Sequence, residues 1–301
     1  MTRRAAFSPH GRALPVIGVV LALLAGWYLA ALFGNWNGAA DALARAGARP
    51  DAEKIAAATM AQERPVVPAP HQVASELWRS IVGMPLGSKR SLLTHAGVTL
   101  SATLMGFAIG SLLGIALAIA IVHLRSVEAS LMPWIVASQT VPILAVAPII
   151  IVALGAAGLT GLLPKAVIAA YLCFFPVTVG MVKGLNAPDR IQRDLMRTYS
   201  ASRGQILARL RWPAALPYLF ASLKIAVAAS LVGTIVAELP TGAQAGLGAR
   251  LLAGSYYGQT IQIWAALFAA AALSALLVQG IGLAEAATAR ALGARPAGNA
   301  R

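Results

Sequence analysis

The sequence predicts an all-α, polytopic membrane protein with about six spanning helices and a helical hairpin on the cytoplasmic side. Three observations predict it. The 301 residues are 58% hydrophobic and 11% charged, where a soluble domain carries about 25% charged residues. The charges are also clustered. No Asp, Glu, Lys or Arg lies between Arg12 and Asp41, Arg90 and Arg125, Glu128 and Lys165, or Arg250 and Glu285. A helix needs about 20 apolar residues to cross about 30 Å of hydrocarbon, and each gap is long enough. The net charge of +14 collects in short segments, as the positive-inside bias requires of cytoplasmic loops. These segments lack the interleaved aromatics of a nucleic-acid surface, so the partner they imply is the lipid bilayer and not nucleic acid.

The first helix is expected at about 14–36, after a cytoplasmic start containing Arg3 and Arg4. Its apolar run exceeds the 7–15 residues usual for a signal peptide, so an uncleaved helix is expected, with 1–36 as the first segment. Residues 37–91 are too polar to span and form an external, periplasmic connecting segment. Pro65, Pro68 and Pro70 interrupt it. A short surface helix at 71–81 would carry Val73, Leu77 and Trp78 on one face. Residues 92–286 are expected to form a core of five further helices. The second spanning region, about 92–123, places Gly106, Gly110 and Gly114 on one face, where small residues let a neighbouring backbone approach. The third, about 129–154, contains Pro142 and Pro148. Its Gln139–Pro148 neighbourhood, with Gln139 and Pro142 as candidates, is either a pathway lining at a broken helix or a plain packing kink.

The fourth helix is expected at 163–182, the fifth at 214–239 and the sixth at 260–284. A glycine-rich loop at 240–258 joins the last two, and 287–301 is a cytoplasmic tail. Apart from Lys224 and Glu238 the spans are read as uncharged, and these two are pathway or gate candidates, since an ionisable residue in a membrane asks for a function. Glu238, near a helix end, can equally reach interfacial water. Lys224, about ten residues into its helix, can pair, line a path or snorkel.

The cytoplasmic loop at 183–212 carries seven basic residues, Lys183, Arg190, Arg193, Arg197, Arg203, Arg209 and Arg211, against Asp189 and Asp194. Ile191, Leu195 and Tyr199 recur at helical spacing. Ser200 and Ala201 form a turn, and Ser202 with Gln205 forms a capping box that opens a second helix. Ile206, Leu207 and Leu210 supply its apolar face, and Pro213 marks entry into the next span.

This loop resembles that of ATP-binding-cassette (ABC) importer permeases, whose pattern is E-A-A, three residues, Gly, nine residues, I-x-L-P. Asp194-Leu195-Met196 takes the first place, Ser200 stands where Gly is expected, and 201–209 lead to Leu210-Arg211-Trp212-Pro213. The likeness runs over about 66–286 and is closest to the nitrate/sulfonate/taurine branch, with its relatives for thiamine-precursor pyrimidines and riboflavin. Val236-Ala237-Glu238-Leu239 and Gly246-Leu247-Gly248 belong to the same pattern. Leu195-Met196 and Ser200 depart from it and give the hairpin a bulkier surface. The resemblance implies a transport subunit of the inner membrane with both termini cytoplasmic, paired as a homodimer. A cytoplasmic ABC ATPase would hold the hairpin through Asp194, Arg197, Tyr199, Ser200, Ala201, Gln205, Leu210 and Pro213. A periplasmic binding protein would deliver a small organic solute, pyrimidine- or vitamin-like, or else sulfonate or nitrate. ATP and magnesium would reside in the partner, with no cofactor on this chain.

The residues agree in offering no catalytic constellation. The spacing G-x-x-x-x-G-K-[ST] does not occur, and Gly83 to Lys89 has its glycine and lysine at the wrong separation. The single cysteine, Cys173, and the scattered His10, His71, His95 and His123 have no metal-ligand spacing. An ATP-independent secondary carrier and a membrane scaffold are the alternatives; the first would want coupling-ion carboxylates at mid-membrane.

Overall fold

The computed structural model describes residues 10–47, 51–85, 87–240 and 245–293. Its elements in chain order are α1 (His10–Arg45), α2 (Ala52–Ala61), α3 (Pro70–Ile81), α4 (Leu92–His123), α5 (Arg125–Ser138), α6 (Ile143–Ala156), α7 (Leu162–Leu185), α8 (Arg190–Thr198), α9 (Arg203–Ile206), a π-helical turn (Leu207–Arg211), α10 (Trp212–Glu238), α11 (Leu247–Tyr256) and α12 (Thr260–Ala291). No strand occurs among the described residues. Five helices there are long and apolar enough to cross a membrane, and the bent pair α5–α6 makes up to six.

Several boundaries differ from the sequence reading. Helix α1 runs on to Arg45 and α12 to Ala291, because Ala-rich polar segments extend a helix past the hydrocarbon. The loop at 240–258 contains α11. The third region is two helices bent by 102°. Pro142 has no N–H to return to the carbonyl of Ser138 four residues back. The Tyr171 hydroxyl of α7 donates to that carbonyl instead. The carbonyl that the proline would orphan is thereby satisfied, as a membrane interior demands.

The chain divides into two units. The first comprises the described residues through Pro85 with Leu251–Leu267. Asn35 is 1% exposed. Its side-chain oxygen accepts from the N–H groups of Val66 (2.7 Å) and Val67 (3.1 Å), and its amide donates to the Val67 carbonyl at 2.8 Å. Trp27 Nε1 donates to Pro68 O at 2.9 Å, and Thr260 Oγ1 donates to Pro65 O. The proline-interrupted strip after α2 is thereby held by side chains where it lacks helical bonds. Val73 of α3 is buried, but Trp78 is 70% exposed; Glu76 and Ser80 share the inner face instead. The reason is local, since Glu76 accepts from Arg79 and Ser80.

The second unit covers the described residues of Leu86–Arg250 and Phe268–Arg301. Helix α7 lies between α4 and α10. In lipid, apolar surface alone gives no drive to associate, so small residues and hydroxyls do the work. A Cβ on Gly106 would stand 2.4 Å from Ala169 Cβ, one on Gly110 2.7 Å from Ala170 O, and one on Gly114 2.8 Å from Phe174 O. The opposite face of α7 repeats the device, with Gly184 meeting Ala215 Cα at 2.9 Å by the same measure. Val177, Met181, Leu185, Ala215, Leu219 and Ala226 fill the space between. Thr103 Oγ1 donates to Thr234 Oγ1 at 3.1 Å, and Ser230 Oγ donates to Thr103 O at 2.9 Å, tying α4 to α10. Ile143, Ile150 and Ile151 of α6 pack on Ala147, Ile168 and Ala237.

Candidate functional site

The hairpin at 188–212 forms as two capped helices. Asp189 is the N-cap of α8, and its N–H donates to the Gln192 side chain at 3.1 Å. At α9 the capping box closes in both directions: Ser202 N–H donates to Gln205 Oε1 at 2.8 Å and Gln205 N–H to Ser202 Oγ at 3.3 Å. Between them Ser200 has φ 54°, the only positive φ at a non-glycine residue among those described. The π turn follows, with Trp212 N–H bonded to Leu207 O, and Pro213 stands in the first turn of α10.

No residue of α8 is buried. Ile191, Leu195 and Tyr199 are 83%, 56% and 78% exposed, an apolar row left bare by the described residues. Asp194 pairs with Arg190 at 3.6 Å and Arg197 at 3.5 Å. Exposed pairs of this length add little stability, so Asp194 and Arg197 are not there to hold the helix. Leu210 is half-buried, and Leu207 and Trp212 pack against the core at the hairpin's root.

The left-handed conformation at Ser200 costs an L-residue about 1–2 kcal/mol, offset in part by the larger unfolded-state freedom of glycine. The Ser200→Gly variant is therefore expected to stabilise the turn by about 0.5–1 kcal/mol. Slower amide exchange across 197–203 would show it; unchanged or faster exchange would refute it.

A second constellation lies at the other end of α10. Glu238 is fully buried. Its carboxylate accepts from Thr99 Oγ1 at 3.0 Å and from the Gly248 N–H at 2.8 Å, with Lys165 Nζ at 3.5 Å. Thr99 Oγ1 in turn accepts from Leu247 N–H at 2.8 Å. His95 Nδ1 accepts from Gly246 N–H at 3.0 Å, so its Nε2 carries the hydrogen it gives Lys89 O at 2.9 Å. Lys165 Nζ also donates to Ala245 O at 3.4 Å. Residues of α4, α7 and α10 thus clamp the start of α11 by its backbone. Gly246, at φ 133°, cannot carry a side chain: its Cβ would stand 2.2 Å from Glu238 Cδ. Beside the clamp is a cavity of about 480 Å³, lined mainly by apolar residues such as Val98, Ile151, Leu159 and Pro164, with Lys165 and Ala245.

The sequence reading singled out Glu238 but passed over Lys165, which stands inside α7 and is 7% exposed. The signal was available, a lysine three residues into a spanning helix, yet its counter-charge is far away in the chain. Lys224 pairs: its Nζ is 2.5 Å from Glu285 Oε2 of α12. Gln139 and Pro142 sit at the α5–α6 break, both exposed, and are not brought near Glu238, Lys224 or the hairpin by any contact observed.

The family described as binding-protein-dependent transport system inner membrane component matches residues 90–291. The chain is similar to a probable ABC transporter permease protein of Haemophilus influenzae, 31% identical over 200 residues, which cover 64% of this chain and 80% of that one. It is 35% identical over 161 residues to a formylaminopyrimidine transport permease protein of Halalkalibacterium halodurans, covering 54% of this chain and 62% of the relative. To a riboflavin transport system permease protein of Chloroflexus aurantiacus it is 32% identical over 220 residues, 73% of this chain and 78% of the other. The hairpin and the Glu238 clamp both fall inside the family match.

Proposed function

We propose a division of labour for this chain, which belongs to the family of binding-protein-dependent transport system inner membrane components and is a multi-pass transmembrane subunit of an ABC importer. A separate cytoplasmic ATPase grips α8, and a periplasmic binding protein loads the outer side. The chain itself forms half of a solute pathway as a homodimer. Both termini and the 183–212 loop are cytoplasmic, with 37–91 and the Glu238 clamp towards the periplasm. The seven basic residues of the loop support this orientation.

The observation that carries the reading is the bare row Ile191, Leu195 and Tyr199 on an otherwise charged helix. A monomer gains nothing from exposing these side chains, whereas a partner groove gains their burial. Asp194 borders the row and is held by Arg197 from the far side of the helix, Ser200 and Ala201 turn the chain back, and Gln205, Leu210 and Pro213 connect the hairpin to α10. Movement of α8 by ATP-driven closure of the partner is transmitted along α10, whose far end is Glu238. The element has two states, biased by ATP on one side and the loaded binding protein on the other. The Gln139–Pro142 break and the cavity by Lys165 are the candidate pathway surfaces. The relatives named for formylaminopyrimidine and riboflavin support a vitamin-like heterocycle as the solute, ahead of sulfonate or nitrate.

The test is co-purification with ABC ATPase subunits co-expressed from its genomic neighbourhood. Leu195→Asp is expected to weaken association more than tenfold, because a charge would be buried unpaired in the groove. A wild type that brings down no ATPase, with reconstituted uptake indifferent to ATP, would overturn the coupling assignment.

A further inference from the structure

On the face of α8 away from the bare row, a cavity of about 210 Å³ is lined by His123, Arg193, Arg197, Arg203 and Arg211, with Val122 and Ile206. No carboxylate among the described residues lines it. Arg193, Arg203 and Arg211 form no ion pair among the described residues, and Arg197 shares only the long contact to Asp194. The Nε of Arg211 is buried without a hydrogen-bond partner. A guanidinium N–H so placed carries a desolvation cost that an acceptor would remove. His123 Nδ1 lies 2.8 Å from Ile119 O and must donate to it. Four guanidinium groups converging on one hollow describe a receptor for a phosphate-like anion.

We propose that this hollow binds the headgroup of an anionic phospholipid from the cytoplasmic leaflet. Depth and direction select the lipid. His123 ends one spanning helix and Arg211 immediately precedes another, so the hollow lies at the level where headgroups lie. At about 100° per residue, Arg193 and Arg197 project from α8 opposite Ile191, Leu195 and Tyr199. The partner ATPase therefore takes one side of the helix and the membrane the other. Basic pockets on the cytoplasmic side of a membrane protein attract such headgroups. The same lipid then holds the root of the hairpin against α4.

The experiment is native mass spectrometry of the full-length chain, offered palmitoyl-oleoyl phosphatidylglycerol or phosphatidylcholine with the same tails. The wild type should retain the anionic lipid preferentially. Arg193→Gln/Arg203→Gln/Arg211→Gln should lower that retention by roughly a hundredfold, while Arg45→Gln/Lys54→Gln/Lys89→Gln, which removes as many charges elsewhere, should retain it. If the first triple variant fails to fold, Arg193→Gln/Arg203→Gln carries the test, with a loss of roughly tenfold or more. Equal retention of both lipids by the wild type overturns the proposal, as does equal loss in the control variant. Displacement of phosphatidylglycerol by inorganic phosphate would identify a soluble anion as the occupant and overturn the lipid. Loss of ATPase association in the variant with unchanged lipid retention would assign the arginines to the partner.

Discussion

Glu238→Ala is expected to lower stability by about 3–5 kcal/mol and to abolish ATP-driven uptake. The carboxylate is fully buried and serves donors from three places at once: Thr99 on α4, Lys165 on α7 and the Gly248 N–H at the start of α11. Alanine strands all three. The heaviest loss is at Lys165, whose ammonium would keep only the long contact to Ala245 O. Glu238→Gln should fall between, since it still accepts from Thr99 but no longer balances the charge. The decisive variant is the double one. Lys165→Met/Glu238→Leu removes both charges together, so its melting temperature should exceed that of Glu238→Leu alone. Thermal unfolding of the purified protein and uptake into proteoliposomes measure the two effects. Additive losses in the double variant would show that Lys165 and Glu238 do not act as a pair.

Gly110→Leu is expected to prevent assembly of the second unit, at a cost of about 3 kcal/mol or more from overpacking. The nearest obstacles to a Cβ there are Ala170 O at 2.7 Å and Cys173 Cβ at 2.8 Å. A carbonyl oxygen in a helix cannot turn aside as a flexible side chain can, so α4 and α7 would have to part. Separation would also pull Ser111 Oγ from Cys173 Sγ, 3.6 Å apart. Gly97 on the same helix supplies the comparison. A Cβ there has nothing within 4 Å, so Gly97→Leu should express and fold normally. Monodispersity after detergent extraction separates the two; similar behaviour of both variants would count against glycine-mediated packing.

The features legible in the sequence are those written locally. Charge-free gaps mark the spans, the Ser202–Gln205 capping box marks the start of α9, and the four-residue glycine spacing marks the face of α4 that meets α7. The features missed depend on partners distant in the chain. Nothing near Lys165 announces Glu238, and nothing near Lys224 announces Glu285, because a buried ion pair is defined by packing and not by spacing. Helix α11 was hidden in a glycine-rich stretch, where Gly246 is needed for its φ and Gly248 for room beside Glu238 and the Ile235 carbonyl. Helical spacing puts Val73, Leu77 and Trp78 on one face of α3, but it does not say which face is covered: Glu76 and Ser80, joined by a hydrogen bond, are buried with Val73 while Trp78 is exposed. Pro142 and Pro148 were visible as possible breaks, yet the former ends the helix pair in a sharp bend while the latter sits within α6. Local sequence alone does not separate the two: at Pro142 the carbonyl left without a donor is served by Tyr171, far away in the chain.

Tyr171 and Pro142 act in this respect as one residue divided between two helices. The donor that the imino acid lacks in its own chain arrives through space from α7. The direction taken by α6 is therefore a property of where α7 stands, as well as of the proline. Any displacement of α7 that withdraws the phenol leaves the Ser138 carbonyl to water or to nothing, since straightening the helix cannot give Pro142 an N–H, and in a dry interior that loss holds α7 where it stands.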